Sequence, residues 1–392
     1  MDAGTAINAV KSGELSFCKF LSANETGITG SHQVGIYISK PSIPILFNKP
    51  GIRGENKDKY VEINWNCNLT TTSRFIYYGQ GTRNEYRITS FGRDFPYLRE
   101  EYTGSLFVLI KNDEESYQAF ILDTEEEINS FLDYFKMNPA QTNALIDIAH
   151  PNTNIDAKID AEIRCYARSL EFGFPSAYDM SKKARELYLI GAGQVAVENS
   201  TSDKLLVAWT NVEYKLFRAL EDEEFRGLGL GEIDHADDYL RAATSLLNRR
   251  KSRAGRSLEN QLEALFKYRN LEFEAQVITE GSKRPDFIFP SGSAYHDLSF
   301  DTNKLISLAA KTTCKDRWRQ ILNEADRLKD KTKYLCTLQQ GISKNQLKEM
   351  EDEKVALVVP KEFISSYPKE FREQIWTLDR FIGYVHETQG TR

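Results

Sequence analysis

The sequence predicts two domains of different class: a β-rich N-terminal part and a C-terminal α/β part, a mixed sheet flanked by helices. Three observations lead there. The chain has 392 residues, which domains of ordinary size divide into about two or three. Up to about residue 130 the apolar residues come in short runs broken by Gly, Pro and Asn, the pattern of strands and turns. From about residue 178 they recur with helical spacing and then alternate with short apolar runs, as in a sheet covered by helices.

In chain order, VGIYI (34–38), ILFN (45–48), YVEINWN (60–66), RFIYYG (74–79) and SLFVLIK (105–111) read as strands. EEEINSFLDYF (125–135) reads as a helix that closes this part. Residues from about 151 to 178 are polar and irregular, with PNTNIDAKID and then GFPSAYD. The linker is placed at 166–178, between an N-terminal domain of residues 1–165 and a C-terminal domain of residues 179–392. Helical periodicity then marks SKKARELYLIGA (181–192), KLLVAWTNVEYKLFRAL (204–220), ADDYLRAATSLLN (236–248) and SLENQLEALFKYRN (257–270). Short apolar strands follow at DFIFP, LISLAAK, KYLCTL and VALVVP, with the helical stretch DRWRQILNEADRLKD (316–330) among them.

Composition narrows the function classes. No apolar run approaches the roughly 18 residues of a membrane span, and the N-terminus lacks the basic-then-apolar pattern of a secretory signal. A cytoplasmic protein without a membrane partner is expected. The cysteines are odd in number, 5 in all, and scattered, so neither a disulfide framework nor a zinc cluster is expected. A net charge of −6 argues mildly against nucleic acid, which needs basic surface. The distribution argues the other way: basic residues concentrate at 249–256 and between Lys311 and Arg319, beside the candidate catalytic residues.

Those residues lie between Ser257 and Asp326. Asp286, in a Pro-Asp pair, opens the apolar strand FIF; Lys311 ends the next apolar strand; Glu324 follows on the next element, a helix expected to start near Asp316; and Glu259 lies upstream on the helix SLENQLEALF. Hydrolysis of a phosphodiester needs charge neutralisation, an activated water and help for the leaving oxygen. Carboxylates at strand ends suit Mg²⁺, which prefers oxygen ligands, polarises phosphate and lowers the pKa of its water. A fixed Lys beside them orients the water or stabilises developing charge. On spacing alone, Pro-Asp is also ordinary turn chemistry and a Lys after a strand an ordinary surface residue.

SRAGRSLE, ITEGSKRPDFIFPSGSAYHD and AAKTTCKDRWRQILNEAD closely resemble the C-terminal half of restriction endonucleases of the EcoRII type, within the PD-(D/E)XK nuclease superfamily. The similarity runs on through LVVP (357–360) towards the C-terminus. In this subgroup the second acid is displaced past the Lys, so the resemblance implies Asp286, Lys311 and Glu324 as catalytic residues, with Glu259 as an additional acid and Asp286 and Glu324 as metal ligands. Tyr295 and Lys251 are accessory candidates. The family's Lys-Asp-Arg segment reads the C·G pairs of the target, a role carried to Lys315, Asp316 and Arg317; such residues can pair with guanine and cytosine edges, although a capped helix start would look the same. The subgroup also extrudes the central base pair. Trp209 stands where a stacking residue is found, but the type member has an Arg in this region, and a core Trp on an amphipathic helix remains open.

LSANETGITGSHQVGIYI (21–38) and GTRNEYRITSFGR (81–93) resemble the family's N-terminal effector domain, a β-barrel of the B3 type. The implied DNA contacts are His32, Tyr37, Arg83, Glu85 and Arg87. Gly81 and Tyr86 stand where the family has lysines, a loss that should weaken phosphate binding or alter the effector site. The resemblance therefore implies a Mg²⁺-dependent type II restriction endonuclease, of type IIE, that cuts double-stranded DNA at 5′-CCWGG or a close relative. A second DNA copy would occupy the N-terminal domain, and a homodimer would form through the C-terminal domain. A nuclease directed at modified cytosine and a non-catalytic B3-like regulator are the alternatives. The Asp286/Lys311/Glu324 set argues against the regulator, and no aromatic cage for a methylated base is visible in the sequence.

Overall fold

The computed structural model describes residues 3–26, 35–65, 69–92, 95–135, 137, 139–146, 154–170, 174–227, 244, 256–314 and 318–390. The chain divides into two compact units. The first comprises Met1–Ala149 with Gln339–Asp352 and Phe363–Glu373; the second comprises His150–Leu338 with Glu353–Glu362 and Gln374–Arg392.

The first unit is built on β1 (Leu15–Phe20), β2 (Ile36–Ile38), β3 (Lys57–Trp65), β4 (Leu69–Tyr78), β5 (Glu85–Thr89), β6 (Leu106–Lys111), β7 (Ser116–Leu122) and β8 (Ala144–Leu145). They form one 8-stranded sheet, in the order β2-β5-β4-β3-β7-β6-β1-β8, curled into a half-barrel. Its pairs are antiparallel except β3 with β7. Strand alternation explains the curl's contents: Val61, Ile63 and Trp65 of β3 point into the core while Tyr60, Glu62 and Asn64 point out. β6 reads as an unbroken apolar run because both its faces are covered. Phe107 and Leu109 meet the aromatic core, and Leu106, Val108 and Ile110 meet the apolar faces of α1 (Ala3–Ser12) and α2 (Glu125–Tyr134). α2 starts at a capping box of Thr124 and Glu127. Two local expectations differ. ILFN is no strand: Ile45 ends the 3-10 turn Lys40–Ile45, and the Leu46 and Phe47 amides both bond back to Ile43 O instead of to a neighbouring strand. α1, with Ala3, Ala6 and Val10 on its buried face, had no counterpart in the sequence reading.

The second unit begins with helices. The segment read as irregular is largely α3 (Asn154–Ser169), whose Ile159, Ile163 and Ala167 are buried against α4 (Ala177–Ala192) and α6 (Ser202–Gly227). Its other face is polar, which masked the period. α5 (Gln194–Glu198) is a single short turn, and residues 256–268 form α7. ADDYLRAATSLLN lies outside the described residues except for Thr244.

The sheet that follows has 5 strands in the order β13-β12-β11-β10-β9. These are β9 (Glu274–Ala275), β10 (Phe287–Phe289), β11 (Ile306–Lys311), β12 (Lys333–Thr337) and β13 (Val355–Val358). β11, β12 and β13 are parallel, whereas β10 is antiparallel to both β9 and β11. The sheet is thus mixed, as expected. Phe287 and Phe289 face Phe266 of α7, and Phe289 also meets Phe381 of α10 (Leu378–Gln389). Ile288 turns to the opposite side and joins Val277, Tyr295, Ala325 and Leu328. Tyr295 lies in the short α8 (Gly292–His296), and α9 (Lys344–Asp352) belongs to the first unit.

Candidate active site

The antiparallel pairing of β10 with β9 and β11 sets the N-terminal end of β10 beside the C-terminal ends of both neighbours. Three residues meet there for that reason: Asp286, just before β10; Lys311, the last residue of β11; and Gln276, just after β9. Asp286 is 7% exposed, and both of its carboxylate oxygens are engaged. Oδ2 accepts from the Ala310 amide at 2.8 Å and from Lys311 Nζ at 3.4 Å; Oδ1 accepts from Gln276 Nε2 at 3.0 Å. Gln276 has a left-handed backbone (φ 55°), and its amide donates to the Asp286 carbonyl at 3.1 Å. Its side chain also reaches Glu259 Oε2 at 3.3 Å, so one carboxamide bridges the acids of β10 and α7.

Glu259 and Glu324 are half-buried. Burial pushes the Glu259 carboxyl up to about 7, and the charge of Asp286 adds to this; Lys311, Arg256 and the bond from Gln276 pull the other way. Glu324 is pushed up to about 7 by the same pair of causes, burial first and Asp286 second, against Lys311 and Lys333. Both glutamates therefore feel Asp286 and Lys311.

The element carrying Glu324 differs from expectation. Trp318–Asn323 is a 3-10 helix rather than a full α-helix, and Glu324 follows it with its amide on the Ile321 carbonyl at 3.1 Å. Ala325 then turns left-handed (φ 55°), which ends the helix. The carbonyls that a longer α-helix would use are taken by Lys333 of β12, whose Nζ donates to Leu322 O at 2.6 Å and to Glu324 O.

A divalent cation fits this donor set. All its candidate ligands are oxygens, and Glu259 and Glu324 are charged only against burial first and the charge of Asp286 second, both of which a cation offsets. Among the described residues no three His, Cys, Asp or Glu side chains form a closed cage. Mg²⁺ does not require one, since it is commonly held by one or two carboxylates with waters and substrate phosphate.

Comparisons with known proteins identify the family. A family model described as "EcoRII C terminal" matches residues 217–382, and one described as "Restriction endonuclease EcoRII, N-terminal" matches residues 10–136. The type II restriction enzyme EcoRII of Escherichia coli is 35% identical over 395 residues, which cover 93% of this chain and 92% of that protein. The chain belongs to the EcoRII family. It is a type II site-specific nuclease, and family membership implies a divalent metal cofactor. Among solved structures the chain is similar to metal-depleted Ecl18kI in complex with uncleaved DNA, at 19% identity over 59% of this chain and 84% of that one, TM-score 0.43. It is also similar to the restriction endonuclease PspGI–substrate DNA complex, at 16% identity over 55% of this chain and 94% of that one, TM-score 0.44.

The other EcoRII-type candidates fall in several places. Lys251, Lys315, Asp316, Arg317 and His32 lie outside the described residues. Tyr295 is buried, and its hydroxyl donates to Glu280 Oε1 and accepts from the Arg327 amide at 3.1 Å; neither partner is Asp286, Glu259 or Glu324. Trp209 is 5% exposed in α6, with the Arg185 guanidinium 5.9 Å from its ring centroid.

In the first unit, Tyr37 of β2 pairs with Arg87 of β5, and both point out of the core. Glu85 stands on the same face, with its Oε2 3.2 Å from Arg87 Nη2, and the Arg83 guanidinium lies 5.2 Å from the Tyr78 ring. Burial, followed by Glu85, pushes the Tyr37 hydroxyl up. Beneath them Glu25 accepts from Lys19 Nζ at 2.5 Å and from the Tyr37 amide at 2.6 Å. Gln276, Lys333 and the Lys19–Glu25 pair are the residues that the sequence reading missed. None belongs to a motif of spacing, and only a buried Lys at the head of an apolar strand gave any signal.

Proposed function

We propose that this enzyme hydrolyses phosphodiester bonds in double-stranded DNA at a short palindromic site, 5′-CCWGG or a close relative, with Mg²⁺ as its cofactor. One observation carries the reading: the Asp286 carboxylate is fixed by the Ala310 amide, Gln276 and Lys311 beside two half-buried glutamates. Asp286 and Glu324 are the proposed metal ligands, with Glu259 as the additional acid. Bound there, the cation would neutralise phosphate charge and lower the pKa of its water. The Ala310 amide and Gln276 hold Asp286 in one orientation, so little reorganisation is needed when substrate arrives. Lys311 keeps its ammonium at the end of β11, where it orients a water or meets charge developing on the phosphate.

Base reading is assigned to Lys315, Asp316 and Arg317. Tyr37, Arg83, Glu85 and Arg87, with His32, are proposed to hold a second DNA copy on the first unit, whose curled sheet is read as a B3-type pseudobarrel. Cutting both strands of a palindrome requires two active sites, so a homodimer formed through the C-terminal part is included. The direct test is Asp286→Ala and Lys311→Ala. Each should abolish plasmid cleavage in Mg²⁺ while leaving specific DNA binding in Ca²⁺ largely intact. Wild-type cutting by either variant refutes the assignment.

A further inference from the structure

Lys333 opens β12, the middle of the three parallel strands, and its neighbours in that strand are all buried. The Lys333 residue is itself only 5% exposed. Among the described residues its ammonium is met by main-chain carbonyls alone: Leu322 O at 2.6 Å, Ile321 O at 3.5 Å, and Glu324 O. Taking an ammonium out of water is costly unless its donors are satisfied. A Met at this position would fill similar space without that cost, so stability alone does not call for Lys. What Lys does here is gather the Ile321, Leu322 and Glu324 carbonyls of one turn at a single point.

That turn carries Glu324. At its end the Glu324 amide reaches Ile321 O, and the next residue, Ala325, sits in the left-handed region that a residue with a side chain enters at some cost; beyond it the Asp326 and Arg327 amides are held by Glu280. Lys333 therefore ties down the backbone on the Glu324 side of this reversal, and its positive charge lies close enough to be felt by the Glu324 carboxyl.

We infer that Lys333 is a positioning residue for Glu324: by clamping the Leu322 and Glu324 carbonyls it fixes where the Glu324 carboxylate stands, and thereby the affinity of the site for its divalent cation. The inference rests on reading Glu324 as a metal ligand. Outer partners of ligands are commonly worth about 10–100-fold in metal affinity, and an effect in that range is expected here.

The test uses the full-length chain and Mn²⁺ alone, with binding read from the loss of the free-Mn²⁺ electron paramagnetic resonance signal and folding read from circular dichroism melts. The variants are Lys333→Met, Lys333→Gln and Glu324→Gln. Lys333→Met should remain folded at the temperature of measurement and bind Mn²⁺ at least about 10-fold more weakly; Lys333→Gln, which keeps donors but no charge, should fall between Met and wild type. Wild-type Mn²⁺ affinity in a folded Lys333→Met chain overturns the inference, whatever happens to its melting temperature. Should the Met variant fail to fold, Lys333→Gln is judged by the same criterion. Wild-type Mn²⁺ affinity in Glu324→Gln overturns the underlying assignment of Glu324 instead.

Discussion

Replacing Tyr295 with Phe separates a structural hydroxyl from a catalytic one. The hydroxyl donates to Glu280 Oε1 and accepts from the Arg327 amide at 3.1 Å. On its removal the Arg327 amide keeps Glu280 Oε1 at 3.3 Å, and Glu280 Oε2 keeps the Asp326 amide at 3.0 Å, so no buried donor is orphaned. The loss is one hydrogen bond to a charged acceptor, about 1.5–3 kcal/mol, and the remaining partners place it near the lower end. Burial pushes the Glu280 carboxyl up, but the bonds from Tyr295 and the two amides outweigh it and hold the group below its usual 4.5. A carboxyl depressed in the folded state contributes stability above its unfolded pKa and loses it as pH falls through the folded value. The gap between wild type and Tyr295→Phe should therefore be full near neutral pH and narrow below about pH 4. Urea unfolding at both pH values measures the gap, and single-turnover plasmid cleavage at neutral pH should change by no more than about twofold, since ~0.4 kcal/mol of barrier is all that allows. Unchanged stability together with lost cleavage would refute the argument and return Tyr295 to the chemistry as an accessory residue.

Three further outcomes are expected. Arg317→Ala should cost about 1–3 kcal/mol of specific binding with little change on random DNA; equal weakening of both in a titration would make Arg317 a phosphate clamp. Glu25→Ala leaves the Lys19 ammonium buried (side chains 7% and 2% exposed) and should destabilise the first unit by about 3–5 kcal/mol, with a loss of effector-duplex binding because the Tyr37 amide loses its acceptor; an unchanged denaturation midpoint counts against it. The intact enzyme should cut one-site plasmids slowly and accelerate when a second site is added, through linkage. A fragment from Ser176, which keeps Glu259, Asp286, Lys311 and Glu324, should cut with Mg²⁺ yet melt lower, because α4 and α6 lose the packed Ile159, Ile163 and Ala167 of α3 and Gln340 and Asn345 lose their partners Pro139 and Glu100; equal one-site and two-site rates, or a fragment that folds without cutting, would reverse these points.

Much of the molecule was legible because burial leaves a period in the sequence. β10, β11, β12 and β13 stood out as apolar runs, α2 as an acidic start followed by an apolar period, and Asp286 and Lys311 as polar residues at the ends of such runs. These features depend on which face of a local element is covered, and each residue reports that for itself. The irregular reading of α3 failed because its fully buried residues, Ile159, Ile163 and Ala167, recur only once per turn among charged and polar neighbours. The full helix expected before Glu324 failed because the competitor for its carbonyls, Lys333, comes from the next strand.

The bonds that hold the site were decided by tertiary structure alone. Gln276 bridges Glu259 and Asp286 only because β9 lies antiparallel to β10 and the backbone of Gln276 turns left-handed after it. Lys19 and Glu25 come together beneath β2 only when the loop after β1 folds back. Residues 339–352 belong to the first unit although they follow the catalytic strands in the chain. Side-chain type and spacing along a chain encode which surfaces are apolar. They do not encode which distant carbonyl or carboxylate a polar hydrogen will meet, because that partner is chosen by strand order and register once the apolar surfaces have been covered.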